Sequence, residues 1–202
     1  MNNLTKFGFT FLFAFLILAQ GAFADTITYN IDPAHSQVLF KVKHFTISTV
    51  TGRFDSFEGT YTFNDKNIVN STVNTKIAAS SINTNNEKRD NDLKSPEFLD
   101  TEKYSDITFK STEIKKGSAD GKFVIIGDLT IHGVTKTVEL FSELGGVVEK
   151  DPWGNKRSAF TAAGKINRKD FGIQYNKLME AGGLVVGDEV NIILEVEGIK
   201  VS

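Results

Sequence analysis

Cysteine is absent from the 202-residue sequence, so disulfides, thiol catalysis, iron–sulfur clusters and thiolate zinc sites are all excluded. Histidine is scarce, at three residues, which leaves few groups suited to proton transfer near neutral pH. Proline also occurs three times, and no Pro/Ser linker, low-complexity tract or internal repeat marks a domain boundary. Basic residues do not exceed acidic ones (23 against 25, net −2), and no basic cluster follows a line that could track a phosphate backbone. Nucleic acid is therefore not an expected partner.

The one long apolar run is FGFTFLFAFLILA, beginning at Phe7 after Lys6. It falls short of the roughly twenty residues needed to span a bilayer, and Ala22-Phe23-Ala24 supplies the small-x-small pattern of a signal-peptidase site. Residues 1–24 thus read as a cleaved signal peptide, and 25–202 as one exported domain with no stable membrane span. That length suffices for one core burying about two-thirds of the unfolded chain's surface.

From Thr26 onward, apolar residues recur every second position, the period of strands with one buried face. Val38, Phe40, Val42 and His44 share a face, with Lys41 and Lys43 on the wet side. Phe57, Tyr61 and Phe63 repeat the pattern, as do Val73 with Ile77 and Ile107 with Phe109. With the stretches 121–131, 134–140, 158–167 and 189–201 they make about eight strands separated by short Gly/Asp/Asn turns. Residues 85–100 break the rhythm. Asn85 or Asn86 is placed to cap a short helix over 87–94, and Ser95 before Pro96 suggests a second helical turn over 96–100. Antiparallel strands with a single helical insertion predict a closed barrel or a sandwich. Small residues at inward positions (Gly59, Ala79, Gly127, Ala162, Gly164) lean toward a barrel with internal space.

Among chemical candidates, His35 sits in the turn Asp32-Pro33-Ala34-His35-Ser36, while His44 falls on the apolar face of its strand, where it needs a hydrogen bond or a polar ligand head. An odd separation of nine positions argues against a metal pair. Ser36 lacks the strained elbow of a serine nucleophile, so no catalytic residue is assigned. Arg89 suits a helix clip or an anionic head group. Arg168, in NRKDFG, suits either a corner brace or such a head group. The acidic pairs Asp90/Asp92 and Glu195/Glu197 read as wet faces. His132 beside Gly133, in GDLTIHGVTKTVEL, reads as a solvent-side turn residue, with the hairpin register open between two- and four-residue loops.

Several blocks carry a family resemblance. IDPAHSQVLFKVKHFTISTVTGRFDSFEGTYTF, with Asp32, His35, Ser36, Phe40, His44, Gly52, Phe54 and Gly59, resembles the opening of YceI-like proteins. KRDNDLKSPEFLDTEKYSDITFKST, GDLTIHGVTKTVEL, DPWGNKR and INRKDFGI resemble the later blocks, with Tyr104-Ser105 where Tyr-Pro is common and Tyr29 where tryptophan is frequent. The resemblance implies an all-β, extended lipocalin-like antiparallel barrel of about eight strands in the periplasm, holding an isoprenoid or other long-chain lipid, with stress response as the setting. On that reading Phe40, Val42, Phe57, Tyr61, Phe109, Phe123, Ile125, Leu129, Phe160 and Leu194 line the lipid cavity. His44, Arg89, Arg168 and His35 are the head-group candidates, and neither a metal nor another cofactor is expected. Two other classes stay open: an enzyme, such as a hydrolase, acting on an isoprenoid-like or fatty amide ligand, and an interaction module with a filled barrel. A homodimer paired through an edge or end of the barrel is compatible with the pattern.

Overall fold

The computed structural model describes residues 26–64, 67–176 and 185–201. The expected signal peptide lies outside the described residues.

Eleven strand segments form one antiparallel sheet. They are β1 (Ile27–Ile31), β2 (Gln37–His44), β3 (Ser48–Phe54), β4 (Phe57–Phe63), β5 (Thr72–Ala78), β6 (Ile82–Asn83), β7 (Asp106–Lys116), β8 (Lys122–Ile131), β9 (Val134–Val148), β10 (Arg157–Asn167) and β11 (Val186–Lys200). Eight close into a ring in the order β1-β4-β5-β7-β8-β9-β10-β11 and back to β1. The other three prolong that ring at one end. β1 and β2 share one edge of β11, pairing Gly198 with Ile31 and Glu195 with Gln37, so they are successive halves of one bent strand. β3 and β4 pair with those halves in turn, and β6 follows β5 in the same manner. The architecture is an eight-stranded barrel that abolishes most free edges. Its remaining edge, at β6, faces α1 (Glu87–Lys94), which is placed in the connection from β6 to β7.

α1 starts where Asn86 leaves helical geometry and its side chain accepts a hydrogen bond from Arg89 N at 3.0 Å. Where a second helical turn is expected the chain makes hydrogen-bonded turns, with Ser95 O accepting from Phe98 N at 3.0 Å and Asp100 N at 2.9 Å. Ser95 also ends α1, donating its hydroxyl to Asp92 O at 2.7 Å, and residues 96–99 form turns. The β8–β9 hairpin takes the two-residue register, Ile131 opposite Val134, with His132 (φ 51°) and Gly133 (φ 73°) both left-handed. His132 faces outward as the alternation requires, but it is half-buried rather than free in solvent. Its ring meets Tyr104 edge-on at 4.7 Å, and Nδ1 lies 3.3 Å from Phe171 O, a contact that requires the proton on that nitrogen.

Of the small residues expected inward, Gly127 makes room for a ring, whereas Gly59 and Gly164 allow close strand approach, a Cβ there meeting Asn74 O at 2.5 Å and Glu139 O at 2.8 Å. A Cβ on Gly52 would lie 2.3 Å from the Phe40 ring, one on Gly127 2.5 Å from Phe109 and one on Gly198 2.6 Å from Tyr61. Ala162, in contrast, faces open volume.

Candidate ligand-binding cavity

The two halves of the barrel differ. In the half holding the end of β4, the start of β8 and the end of β11, Tyr29 stacks on Tyr61 at 5.2 Å, Tyr61 meets Phe160 edge-on at 5.2 Å, and Phe123 lies 6.2 Å from Phe160. All four rings are buried, and Ile114 and Phe63 complete a solid floor. The Tyr61 hydroxyl donates to Ser158 O at 2.7 Å, and burial pushes its pKa up to about 12, so it stays a protonated donor in any ordinary buffer.

Above this floor lies a cavity of about 590 Å³, within the range of small-molecule sites. Its walls come from alternate residues of the strands: Val38, Phe40 and Val42 from β2, Ile125, Leu129 and Ile131 from β8, Val138 and Leu140 from β9, Phe160 and Ala162 from β10, and Val190, Ile192 and Leu194 from β11. Its other end is capped by Leu93 of α1, by Phe98 and Leu99, and by Phe171, Ile173 and Tyr175 after β10, with Phe98 and Tyr175 in ring contact at 4.5 Å. The alternation of polar and apolar residues had indicated the walls but not these capping residues. Their one sequence signal is that Leu93, Phe98 and Leu99 are apolar inside an otherwise charged insertion.

Of the ten expected wall residues, Phe40, Val42, Phe57, Phe109, Ile125, Leu129, Phe160 and Leu194 face the cavity. Tyr61 and Phe123 do not: they share the inward parity but sit lower, in the floor.

The polar candidates separate more sharply. His44 lines the cavity at the end of β2, and its ring contacts Phe45 at 3.9 Å. Arg89 also lines it, but Nε and one Nη donate to Thr84 Oγ1 and O at 2.7 and 2.9 Å, while Asp90 accepts from Thr84 N and Oγ1. Asp90 is thus a partner of the clip and not part of a wet face. Arg168 borders the cavity with its donors turned into the wall. It is 5% exposed and donates to Gly187 O, Ile173 O, Val186 O and Asp188 Oδ1 at 2.7–3.4 Å. β11 bulges away from β2 between Val186 and Val190, and the guanidinium ties that irregular stretch to the corner after β10. Burial lowers the Arg168 pKa, and the Asp188 carboxylate opposes that.

His35 is not at the cavity. Its Nδ1 lies 2.9 Å from Asp32 Oδ2, in an ion-pair network on the barrel's outer face. Arg157 is the centre of that network, donating to Asp151 at 2.6 Å, Asp32 at 2.8 Å and Glu197 at 2.6 Å. Glu197 is therefore engaged, not a free wet carboxylate. Asp32, His35 and Glu197 bring ligand-type atoms within 4.8 Å of one another, but Arg157 already donates to both carboxylates, so the compensating positive charge is a side chain of the protein. Ser36 likewise donates to Glu197 O at 3.1 Å, which turns its hydroxyl to the backbone and not to an imidazole.

The network has a pH signature. The hydrogen bond from Arg157 holds the Asp151 carboxyl down to about 2, below its ordinary 3.8, and Asp32 is lowered as well. A carboxyl depressed by folding stabilises the fold in full above its unfolded value and loses that contribution as pH falls toward the folded one. Melting temperature is thus expected to drop between about pH 4 and pH 2. Asp151→Asn is expected to melt lower at pH 7 and to show a shallower acid slope, which thermal melts across that range will check.

A family description, the YceI-like domain, matches residues 29–198, essentially all of this barrel. The chain belongs to the YceI-like family. It is 42% identical over 190 residues to Protein YceI of Escherichia coli O17:K52:H18 (strain UMN026 / ExPEC), covering 93% of this chain and 94% of that one. Among solved structures it is similar to a Campylobacter jejuni YCEI protein, at 32% identity and TM-score 0.68 over 79% of this chain and 90% of that one. A polyisoprenoid binding domain from Saccharophagus degradans shares the fold at TM-score 0.64 and 18% identity, over 87% of this YceI-like chain and 99% of its own.

Proposed function

We propose that this YceI-like protein is an exported carrier that encloses the tail of a long amphipathic lipid of the isoprenoid type. The observation that carries the reading is the 590 Å³ apolar cavity inside the barrel, with an aromatic floor below it and polar side chains at its rim. Apolar surface removed from water contributes about 25 cal/mol per Å², so a hydrocarbon chain is held by burial without any dedicated polar contact. The Saccharophagus neighbour, named for polyisoprenoid binding, supports the choice of lipid class. Export is supported by the sequence of residues 1–24, with its short apolar run and Ala-x-Ala site. A carrier reading is preferred to a hydrolase because the serine beside His35 is bound to backbone and, among the described residues, no nucleophile–base pair is formed at the cavity.

Organic extraction of the purified protein followed by mass spectrometry is expected to release a long-chain lipid in near-stoichiometric amount. An empty extract, from protein that also fails to take up a fluorescent aliphatic probe, would sink the carrier reading.

A further inference from the structure

The β2–β3 hairpin ends in an apolar tip that lies outside the packed core of the described residues. Ile47 is 85% exposed and Phe45 39% exposed, immediately after His44 in the cavity wall. The backbone there is costly: Phe45 (φ 50°) and Thr46 (φ 61°) are consecutive non-glycine residues in the left-handed region, where a bulky side chain is disfavoured. A turn alone would be met better by Asn-Gly. Within the hairpin itself the charge is of one sign. From Lys41 to Gly52 there is no carboxylate, Lys41 and Lys43 are exposed, and neither lysine forms an ion pair among the described residues. Of the carboxylates on adjoining β11, Asp188 is engaged by Arg168 and Lys169 and Glu189 by Lys165, while Glu195 stands opposite Gln37 at the far end of β2 from the tip. The rim's other carboxylates, Asp92 and Glu97, belong to the helical insertion.

We infer that this hairpin docks the cavity mouth on a bilayer containing anionic lipid, with Phe45 and Ile47 inserted among the acyl chains and Lys41 and Lys43 against the head groups. Apolar side chains on a basic, carboxylate-free element are the chemistry of interfacial anchors, each lysine adding about fivefold to partitioning onto an anionic surface. The inference rests on the carrier reading, since a lipid guest has to leave a bilayer to reach His44 and the cavity behind it. The inferred contact is peripheral, and no helix among the described residues is long and apolar enough to cross a membrane.

The test is flotation of protein expressed from the full-length sequence with phosphatidylcholine vesicles and with vesicles containing about one-third phosphatidylglycerol. Binding is expected only to the second, and Ile47→Ser and Phe45→Asn are each expected to lower it about tenfold or more. Asn accepts left-handed φ, so Phe45→Asn should melt no lower than the parent protein, which separates docking from folding. The tryptophan position gives the orientation. Trp153 follows β9 at the other end of the barrel, roughly 40 Å away along β11, and its emission should not move. Ile47→Trp, made together with Trp153→Phe, should shift to the blue on the same vesicles. Failure of the parent to float, equal flotation of the variants, or a shift of Trp153 would overturn the inference. Uptake of N-phenylnaphthylamine from solution, without vesicles, reports the cavity separately: normal uptake without flotation removes the docking site alone, and flotation without uptake counts against the carrier reading alone.

Discussion

Ala162→Phe is expected to yield a folded barrel that carries no lipid. Ala162 lies on β10 between Ser142 of β9 and Leu194 of β11, is 2% exposed, and faces the cavity. In a filled core, enlarging a residue this much costs about 1–3 kcal/mol, because neighbours must leave their rotamers. Here the added ring points into open volume, so melting temperature should hold or rise. The extracted lipid should fall tenfold or more, because the ring takes the space of the guest's chain. Ile192→Trp, from the β11 wall, tests the same volume from another side. Full lipid content in both folded variants would show that the guest is held elsewhere.

Arg168→Met should do the reverse, lowering stability while the cavity keeps its affinity. Removing the guanidinium leaves the carbonyls of Gly187 and Ile173 without their donor and the Asp188 carboxylate with Lys169 alone. Breaking a buried charged network of this sort costs about 3–5 kcal/mol, which lowers the melting temperature of a domain of this size by about 10 °C. If Arg168 held a lipid head group instead, the variant would melt normally and lose its ligand. Differential scanning calorimetry beside lipid extraction separates the two outcomes.

The alternation of apolar residues was enough to assign faces. Val38, Phe40, Val42 and His44 point inward, as do Leu129, Ile131, Val138 and Leu140, and the GDLTIHGVTKTVEL hairpin turns where the glycine stands. Alternation says nothing about height along the barrel axis. Tyr61 and Phe123 have the parity of Phe57 and Ile125 but fall in the floor, because height depends on the stagger of eight strands and not on any one of them. Side-chain partnerships were hidden for a similar reason. Arg157 meets Asp32 across 125 positions, and Arg168 answers a bulge 19 residues downstream. Local pattern read only half of Ser95: its carbonyl opens the turn over 96–99 as a serine before proline suggests, but its hydroxyl reaches back to Asp92 O and ends α1.

The aromatic floor bears on how a guest comes and goes. With Tyr29, Tyr61, Phe123 and Phe160 filling one end of the barrel, a lipid held as proposed would point its tail at the floor and its head group toward His44. A barrel stoppered at that end is not an open conduit along its axis. On the carrier reading, donor and acceptor are both excluded from the floor end and compete for the remaining approaches to the cavity.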